Sequence, residues 1–322
     1  MSQDVENPDQ VKFYHHILLV AGIILLPGLF GAMFGWVHGL LPLVVFFLLH
    51  RFGKNTGGKY ILFGCLLAGI TGLAFQVVEQ FLFSLTMLPA GFIIADSVTK
   101  GDSKYLSGIK AAVALAGSWL LLSTILATGL EHHPYTLLLT SINTGMDEAV
   151  AYYKANGSLP EETIYILETT FQEMKTLLPR VMPAILACIV LLIVWFTMVA
   201  GNQLLSRKTG IGPWPEYRFW TLPDKLIWAL IISAVLVVLP LEPGRTVGLN
   251  MLLVTGLLYC FQGIAIVLFY FYKWSVPRFL RAIIYVILFF QSFGAIFLAI
   301  LGVIDIWFDL RRLHSAENET DT

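Results

Sequence analysis

Long apolar runs broken by short polar stretches dominate the chain. They cover residues 17–50 and 60–98, then about 109–130, 179–204, 225–241, 247–272 and 280–305. One crossing of a bilayer takes about 20 apolar residues as a helix. The first run is too long for one crossing and slightly short for two. Pro27, Pro42 and several glycines place a tight turn near residues 36–39. The second run divides likewise, with "QVVEQ" (76–80) at its turn. The pattern predicts an all-α fold, a polytopic transmembrane helix bundle of about nine spans, or eight if 17–50 crosses once. It orders the chain as a polar tail (1–16), N-terminal membrane helices (17–130), a segment outside the bilayer (131–178), C-terminal membrane helices (179–308) and a second polar tail (309–322).

The segment 131–178 has a different periodicity. Ile164, Leu167, Phe171, Met174 and Leu178 recur at steps of three and four, which makes one apolar stripe on a helix. Ser158 as N-cap, Pro160 in the first turn and Glu161 at the capping-box position mark the start of that helix. Glu161, Glu162, Glu168 and Glu173 lie largely off the stripe. A pair of amphipathic helices is expected, packed on the ends of the spans or covering a cavity.

Composition agrees with a membrane location. Hydrophobic residues make up 57% of the 322 and charged residues only 13%, against about 25% charged in soluble domains. Mean hydropathy is +0.77. A net charge of -1 excludes a globally basic nucleic-acid binder, because neutralising phosphates takes clustered Lys and Arg. The acidic first residues do not resemble a cleaved signal peptide. Cys65, Cys188 and Cys260 stand alone within apolar runs, with no C-x-x-C, so neither a zinc site nor a disulfide frame is implied.

Charge also orients the chain. With residues 53–59 in the cytoplasm and alternation thereafter, fourteen of the twenty Lys and Arg fall inside. This predicts an N-terminus on the cytoplasmic side and an extracytoplasmic 131–178. The same alternation sends Arg311 and Arg312 outside. "GIGPWPEYRFWTLPDK" (210–225) reads as an interfacial anchor, with Trp214, Tyr217, Trp220 and Trp228 at headgroup level and Pro223 and Asp224 opening the next helix.

Candidate chemistry is sparse. "GKNTGGKY" (53–60) is one residue short of the phosphate-binding loop G-x-x-x-x-G-K-[ST]. Tyr60 cannot supply the magnesium-binding hydroxyl, and both flanks are membrane helices. It reads as a basic turn near anionic headgroups. "EHH" (131–133) places adjacent histidines on different faces and makes a poor metal site. No nucleophile elbow or H-E-x-x-H is present, Asp96 reads as a hydrated helix end, and neither an enzyme nor a cofactor is expected.

Ionisable and amide groups within the spans are the main suspects, since a charge in hydrocarbon costs about 3 kcal/mol even on the mild insertion scale. His38, Glu79, Gln80, Asn250, Gln262 and Asp305 are the candidate ligand-binding residues, gathered toward the outer side, with Gln262 and Gln291 deeper. Gln76, Glu79 and Gln80 would share one helix face, and Arg245 would neutralise Glu79 or Asp305. The competing reading has the carboxylates at wet helix ends and the amides tying helices together. Gly31, Gly35 and Gly39, like Gly64, Ala68 and Gly72, form small-residue faces for close helix approach. The first set is the candidate partner interface, for another membrane protein or a second copy.

"WTLPDKLIWAL", "GLLYCFQGIAIVLFY" and "LGVIDIWFDLRR" resemble the YybS-like bacterial family of predicted membrane proteins, whose function is unknown. The matching residues are Trp220, Leu222, Pro223 and Asp224; Gln262 and Gly263; and Gly302, Asp305, Trp307, Phe308, Asp309 and Arg311. More loosely, "LLPLVVFFLLHRFGKNTGGKYILFGCLLAG" is similar to the substrate-binding subunits of energy-coupling-factor vitamin transporters. That similarity implies a small solute bound near the outer face and a partner docked on small residues of the first helix. This chain is longer and carries the 131–180 insertion. The expected function is solute binding within a transport system, and the alternative is a membrane scaffold or regulator that binds other membrane proteins through its small-residue faces.

Overall fold

The computed structural model of the protein describes residues 8–129, 133–157, 159–291 and 293–312. Regular structure among them is entirely helical. Five helical stretches are long and apolar enough to cross a membrane: Gly31–Ala74, Val78–Thr99, Lys104–Ala127, Glu161–Lys208 and Glu242–Lys273. Shorter apolar helices cover Tyr14–Leu29, Leu226–Val238 and Gly294–Phe308. The protein is thus an all-α polytopic membrane protein. Its chain divides into two compact units, Met1–Pro134 with Ile189–Trp214, and Tyr135–Cys188 with Pro215–Thr322.

In the first unit, α1 (Pro8–Leu29) leads through a four-residue α2 (Gly31–Phe34) and a 3-10 turn (Gly35–Leu40) into α3 (Leu41–Ala74). Helix α1 therefore begins well inside the expected polar tail. Gly53 breaks α3 with φ +77, a conformation that glycine adopts without strain. The turn closes tightly: a Cβ at Gly57 would lie 2.5 Å from the Leu48 carbonyl oxygen. The near-match to a phosphate loop is therefore a helix–helix turn, with Tyr60 buried beneath it. The second arm of α3 lies on α1, where a Cβ at Gly64 would meet Val20 at 2.6 Å and Ala68 is fully buried. This small-residue face is used within the unit.

Helices α4 (Val78–Leu85), α5 (Leu88–Thr99) and α6 (Lys104–Ala127) follow. Gln76 sits in the turn before α4 with φ +58, so it does not share a helix face with Glu79 and Gln80 as the spacing suggested. At one end of this unit Asp96 pairs with Lys54 (2.6 Å) and Lys100 (2.5 Å), and Asp102 with Lys110 (2.5 Å). The Lys110 hydrogen bond holds the Asp102 carboxyl below the usual carboxylate range. Trp214 does not anchor at the surface. It is buried near Phe46 (6.0 Å between rings), and its amide donates to Asn202.

In the second unit, α7 (Pro134–Asn156) runs antiparallel to the first part of α8 (Glu161–Thr209). Lys154–Glu168 (2.5 Å), Lys175–Asp147 (2.5 Å) and Tyr135 Oη to the Pro179 carbonyl (3.1 Å) fix that register. Ile164, Leu167, Phe171 and Leu178 are half-buried, as the stripe predicts, while Met174 is more exposed. Ser158, Glu131 and His132 lie outside the described residues. Helix α8 is continuous for 49 residues despite Pro179 and Pro183. Proline at 183 has no N–H for the carbonyl of Pro179, and the Tyr135 hydroxyl supplies a donor instead.

Helices α9 (Leu226–Val238) and α10 (Glu242–Lys273) pack as an antiparallel pair. Gly248 of α10 lies so close to α9 that a Cβ would meet the Val237 amide nitrogen at 2.8 Å. With 13 residues, α9 extends about 20 Å at 1.5 Å per residue, short of the roughly 30 Å hydrocarbon core. The expected single span over 280–305 is instead two short helices, α11 (Arg278–Phe290) and α12 (Gly294–Phe308). The chain doubles back between them, and a Cβ at Gly294 would overlap the Leu288 carbonyl. Helix α12 then crosses α10 at a glycine pair: a Cβ at Gly263 would overlap the Leu298 carbonyl, and one at Gly302 the Tyr259 carbonyl.

Gly302→Ala is expected to destabilise the protein by about 3 kcal/mol, because backbone rather than a movable side chain blocks the added methyl. Gly256→Ala on the same helix pair meets nothing within 4 Å and should be neutral or stabilising by up to about 1 kcal/mol. Unfolding in mixed micelles compares the two; equal effects would contradict the crossing.

Candidate functional site

The crossing of α10 and α12 carries the second unit's buried charges. Asp305, near the end of α12, and Arg311, just beyond it, pair at 2.7 Å with side chains 4% and 0% exposed. Six residues do not match a helical spacing. The contact forms because α12 stops at Phe308 and Asp309 adopts a left-handed conformation (φ 37, ψ 57), which Asp tolerates better than most residues. The chain thereby turns Arg311 back into the protein. The Tyr270 hydroxyl holds this turn by donating to the Leu310 carbonyl (2.8 Å).

Asp305 Oδ2 accepts three hydrogen bonds, from Arg311 Nη2 (2.7 Å), Arg311 Nε (3.2 Å) and Gln262 Nε2 (3.0 Å). Gln262 Oε1 accepts the Leu222 amide (3.1 Å), and Arg311 Nη1 donates to the carbonyls of Arg218 and Trp220 (both 2.9 Å). Tyr217 donates its hydroxyl to the Phe261 carbonyl. Residues 220–225, which lead into α9, are non-helical. Backbone groups outside a helix need other partners, and for the half-buried Arg218, Trp220 and Leu222 these include Arg311 and Gln262.

At this crossing, Asp305 Oδ1 and the Tyr259 hydroxyl are buried with no hydrogen-bond partner among the described residues. Both nitrogens of the Arg311 fork go to Oδ2, so the pair lacks the two-oxygen grip that makes arginine–carboxylate contacts strong. A buried acceptor left unpaired costs about 1–3 kcal/mol. Oδ1 can accept a further donor without disturbing the bonds at Oδ2.

Of the residues expected from sequence, Gln262 and Asp305 come together. Asn250 is on α10 but twelve residues away, about 18 Å along the helix. Its Nδ2 donates to the Arg180 carbonyl (2.7 Å) and its Oδ1 accepts the Ala184 amide (2.9 Å). It thus bridges the donor and acceptor that an undisturbed α8 would join directly. In the first unit, His38 is buried against Ser84, with Nδ1 to Oγ at 2.8 Å, while Glu79 and Gln80 are exposed on the first turn of α4. Gly31 and Gly35 have nothing within 4 Å, and Gly39 makes ordinary contact with Ile193 (3.5 Å). These three glycines span a short α-helix and a 3-10 turn, so their four-residue spacing does not form one α-helical face.

The partner of Asp305 is Arg311 rather than the expected Arg245. Placing Arg311 outside and Arg218 inside is also corrected: Arg311 reaches the Arg218 carbonyl, so both lie at one end of the unit. The cause is the α11–α12 reversal, which returns the chain to the Lys273 end of α10.

These features define a class: a polytopic helical membrane protein with interrupted helices around a buried ion pair. Residues 17–306 match the family model described as "Predicted membrane protein (DUF2232)", and the chain belongs to that family. It is similar to the Uncharacterized protein YybS of Bacillus subtilis (strain 168), at 27% identity over 174 residues, covering 51% of this chain and 53% of that protein. The match thus spans about half the length of the curated relative. No solved structure matches. The residues that carried the family resemblance include Trp220, Leu222, Gln262, Gly263, Gly302, Asp305 and Arg311, all of them in this site or at its glycine crossing.

Arg311→Ala should cost about 3–5 kcal/mol, because it leaves Asp305 buried and unpaired. Adding Asp305→Ala should restore a large part of that loss, giving a coupling well above 1 kcal/mol in a double-mutant cycle. Additive losses would mean that the pair is not coupled. Asn250→Ala should speed amide hydrogen exchange at Ala184 selectively; unchanged protection there would remove its bridging role.

Proposed function

We propose that this protein binds a small solute as part of a transport system, with Gln262 and Asp305 in the binding surface. One observation carries the reading: a desolvated Asp with an unpartnered oxygen sits where non-helical backbone and two short helices meet. Interrupted helices commonly frame substrate sites in membrane transporters, where they bring polar backbone to membrane depth. Buried ionisable groups in spans point the same way, because their cost favours retention only for a purpose. The looser similarity of residues 40–69 to energy-coupling-factor binding subunits supports solute binding.

The protein's membrane is, in this proposal, the bacterial cytoplasmic membrane. The basic residues Arg218, Lys273, Arg278 and Arg281 put this end of the second unit on the cytoplasmic side by the positive-inside rule. The site then belongs to the inner half, and Asn250 to the outer end, where an outer pocket was expected. His38, Glu79 and Gln80 remain candidates in the first unit. The scaffold reading keeps one supporting observation, the open space at Gly31 and Gly35. A cysteine at Gly35 that crosslinks to another protein in intact membranes would favour it.

The test is a thermal-shift screen of purified protein with small amino acids, organic cations and water-soluble vitamins. A true ligand at about 100 times its dissociation constant adds about 2.7 kcal/mol to stability. At least one solute should stabilise wild type and lose its effect in folded Gln262→Ala. A panel in which no solute separates the two proteins would count against this site.

A further inference from the structure

We infer that Arg311 is an internal stand-in for the ligand: the surface it fills is a cradle for a guanidinium-bearing solute, which competes with Arg311 for Asp305. The inference rests on the proposed solute-binding role and names its substrate class. The groups that face the Arg311 guanidinium are all acceptors: Asp305 Oδ2 and the carbonyls of Arg218 and Trp220. Their arrangement suits a planar cation. Nε and Nη2 meet the carboxylate while Nη1 meets two carbonyls on the other side, a spread that a compact ammonium cannot reach.

Electrostatics sets the charge of any replacement. Asp305 is too deeply buried to stand alone, so the group that displaces Arg311 must also carry a positive charge. Exchange of one cation for another leaves the site neutral at every stage that matters to its stability. Geometry gives the external cation an advantage. Arg311 is tethered six residues from Asp305, and its fork reaches only Oδ2, leaving Oδ1 buried without a partner among the described residues. An untethered guanidinium can take both oxygens in the two-bond arrangement that carboxylates favour.

The strap carrying Arg311 is short and backbone-strained. Asp309 and Arg312 on either side both have positive φ, 37 and 55, which costs non-glycine residues stability. Withdrawal of Arg311 removes its bonds to the carbonyls at 218 and 220. The stretch that leads into α9 is then held by Gln262 alone among these two side chains. Ligand entry is thereby linked to release of the segment before α9.

Chemical rescue in the full-length protein, reconstituted in phosphatidylcholine nanodiscs, tests this. Arg311→Ala should melt below wild type, and millimolar methylguanidinium should restore most of the loss in a saturable way. Methylammonium should restore much less, and Arg311→Ala with Asp305→Asn should respond to neither. A folded Arg311→Ala protein that ignores methylguanidinium overturns the inference, as does equal rescue by methylammonium. If Arg311→Ala does not fold, Arg311→Lys takes its place; its ammonium satisfies Asp305 but not the two carbonyls, and absence of methylguanidinium stabilisation there is equally fatal. Solutes that stabilise wild type through Gln262, without rescue in either variant, would sink the cradle and leave the solute-binding role standing. Rescue of Arg311→Ala while neither methylguanidinium nor any solute of the panel stabilises wild type would make Arg311 a structural counter-ion and overturn the competition.

Discussion

Everything in the second unit answers to one constraint: backbone polar groups removed from water must be paired. A continuous helix meets it without help. In this chain the prolines of α8 and the non-helical stretch before α9 disturb that pairing, and side chains of α10 bond to backbone at both places. Asn250 bridges Arg180 and Ala184 beside the prolines of α8, and Gln262 holds Leu222 ahead of α9. Arg311 completes the second repair from the far end of the chain. Helix α10 is therefore the spine of the unit, and its two amides are placed where neighbouring helices fail.

Glycines let that spine work. Amides have short reach, so the helices they serve must lie close. Gly248, Gly263 and Gly302 permit approaches that any side chain would block. The same crossing that brings Gln262 to Asp305 removes both from solvent. Polar pairing and close packing are consequently one arrangement, and the unpartnered oxygen of Asp305 marks where that arrangement leaves capacity unused.

Much of this architecture was legible in the sequence, for physical reasons that differ by element. Apolar run length revealed the membrane helices, and the stripe from Ile164 to Leu178 revealed the amphipathic part of α8, because burial imposes a period. Gln262 and Asp305 were visible as polar residues in apolar surroundings. Arg311 was not, since an arginine in a polar-looking tail carries no periodic signal, and its burial depends on one left-handed residue at Asp309. The reversal between α11 and α12 was hidden for a similar reason: 280–305 has the length and hydropathy of a single crossing. Hydropathy reports how much apolar chain is present and not where it turns. The partners of Asn250 were hidden because they are backbone groups about seventy residues away in sequence, which no local spacing announces.

The part of α8 that belongs to the second unit, 161–188, has a contour of about 42 Å at 1.5 Å per residue, longer than the hydrocarbon core is thick. Such a rod is a lever, and its fulcrum is where Pro179 and Pro183 weaken the ladder and Asn250 bridges it. Tilting the arm before the prolines against the arm after them must stretch the two bonds to that amide, so the angle of the α7–α8 hairpin and the position of α10 are mechanically coupled. A load on the hairpin would be felt first at the Glu242 end of the helix whose other half holds Gln262.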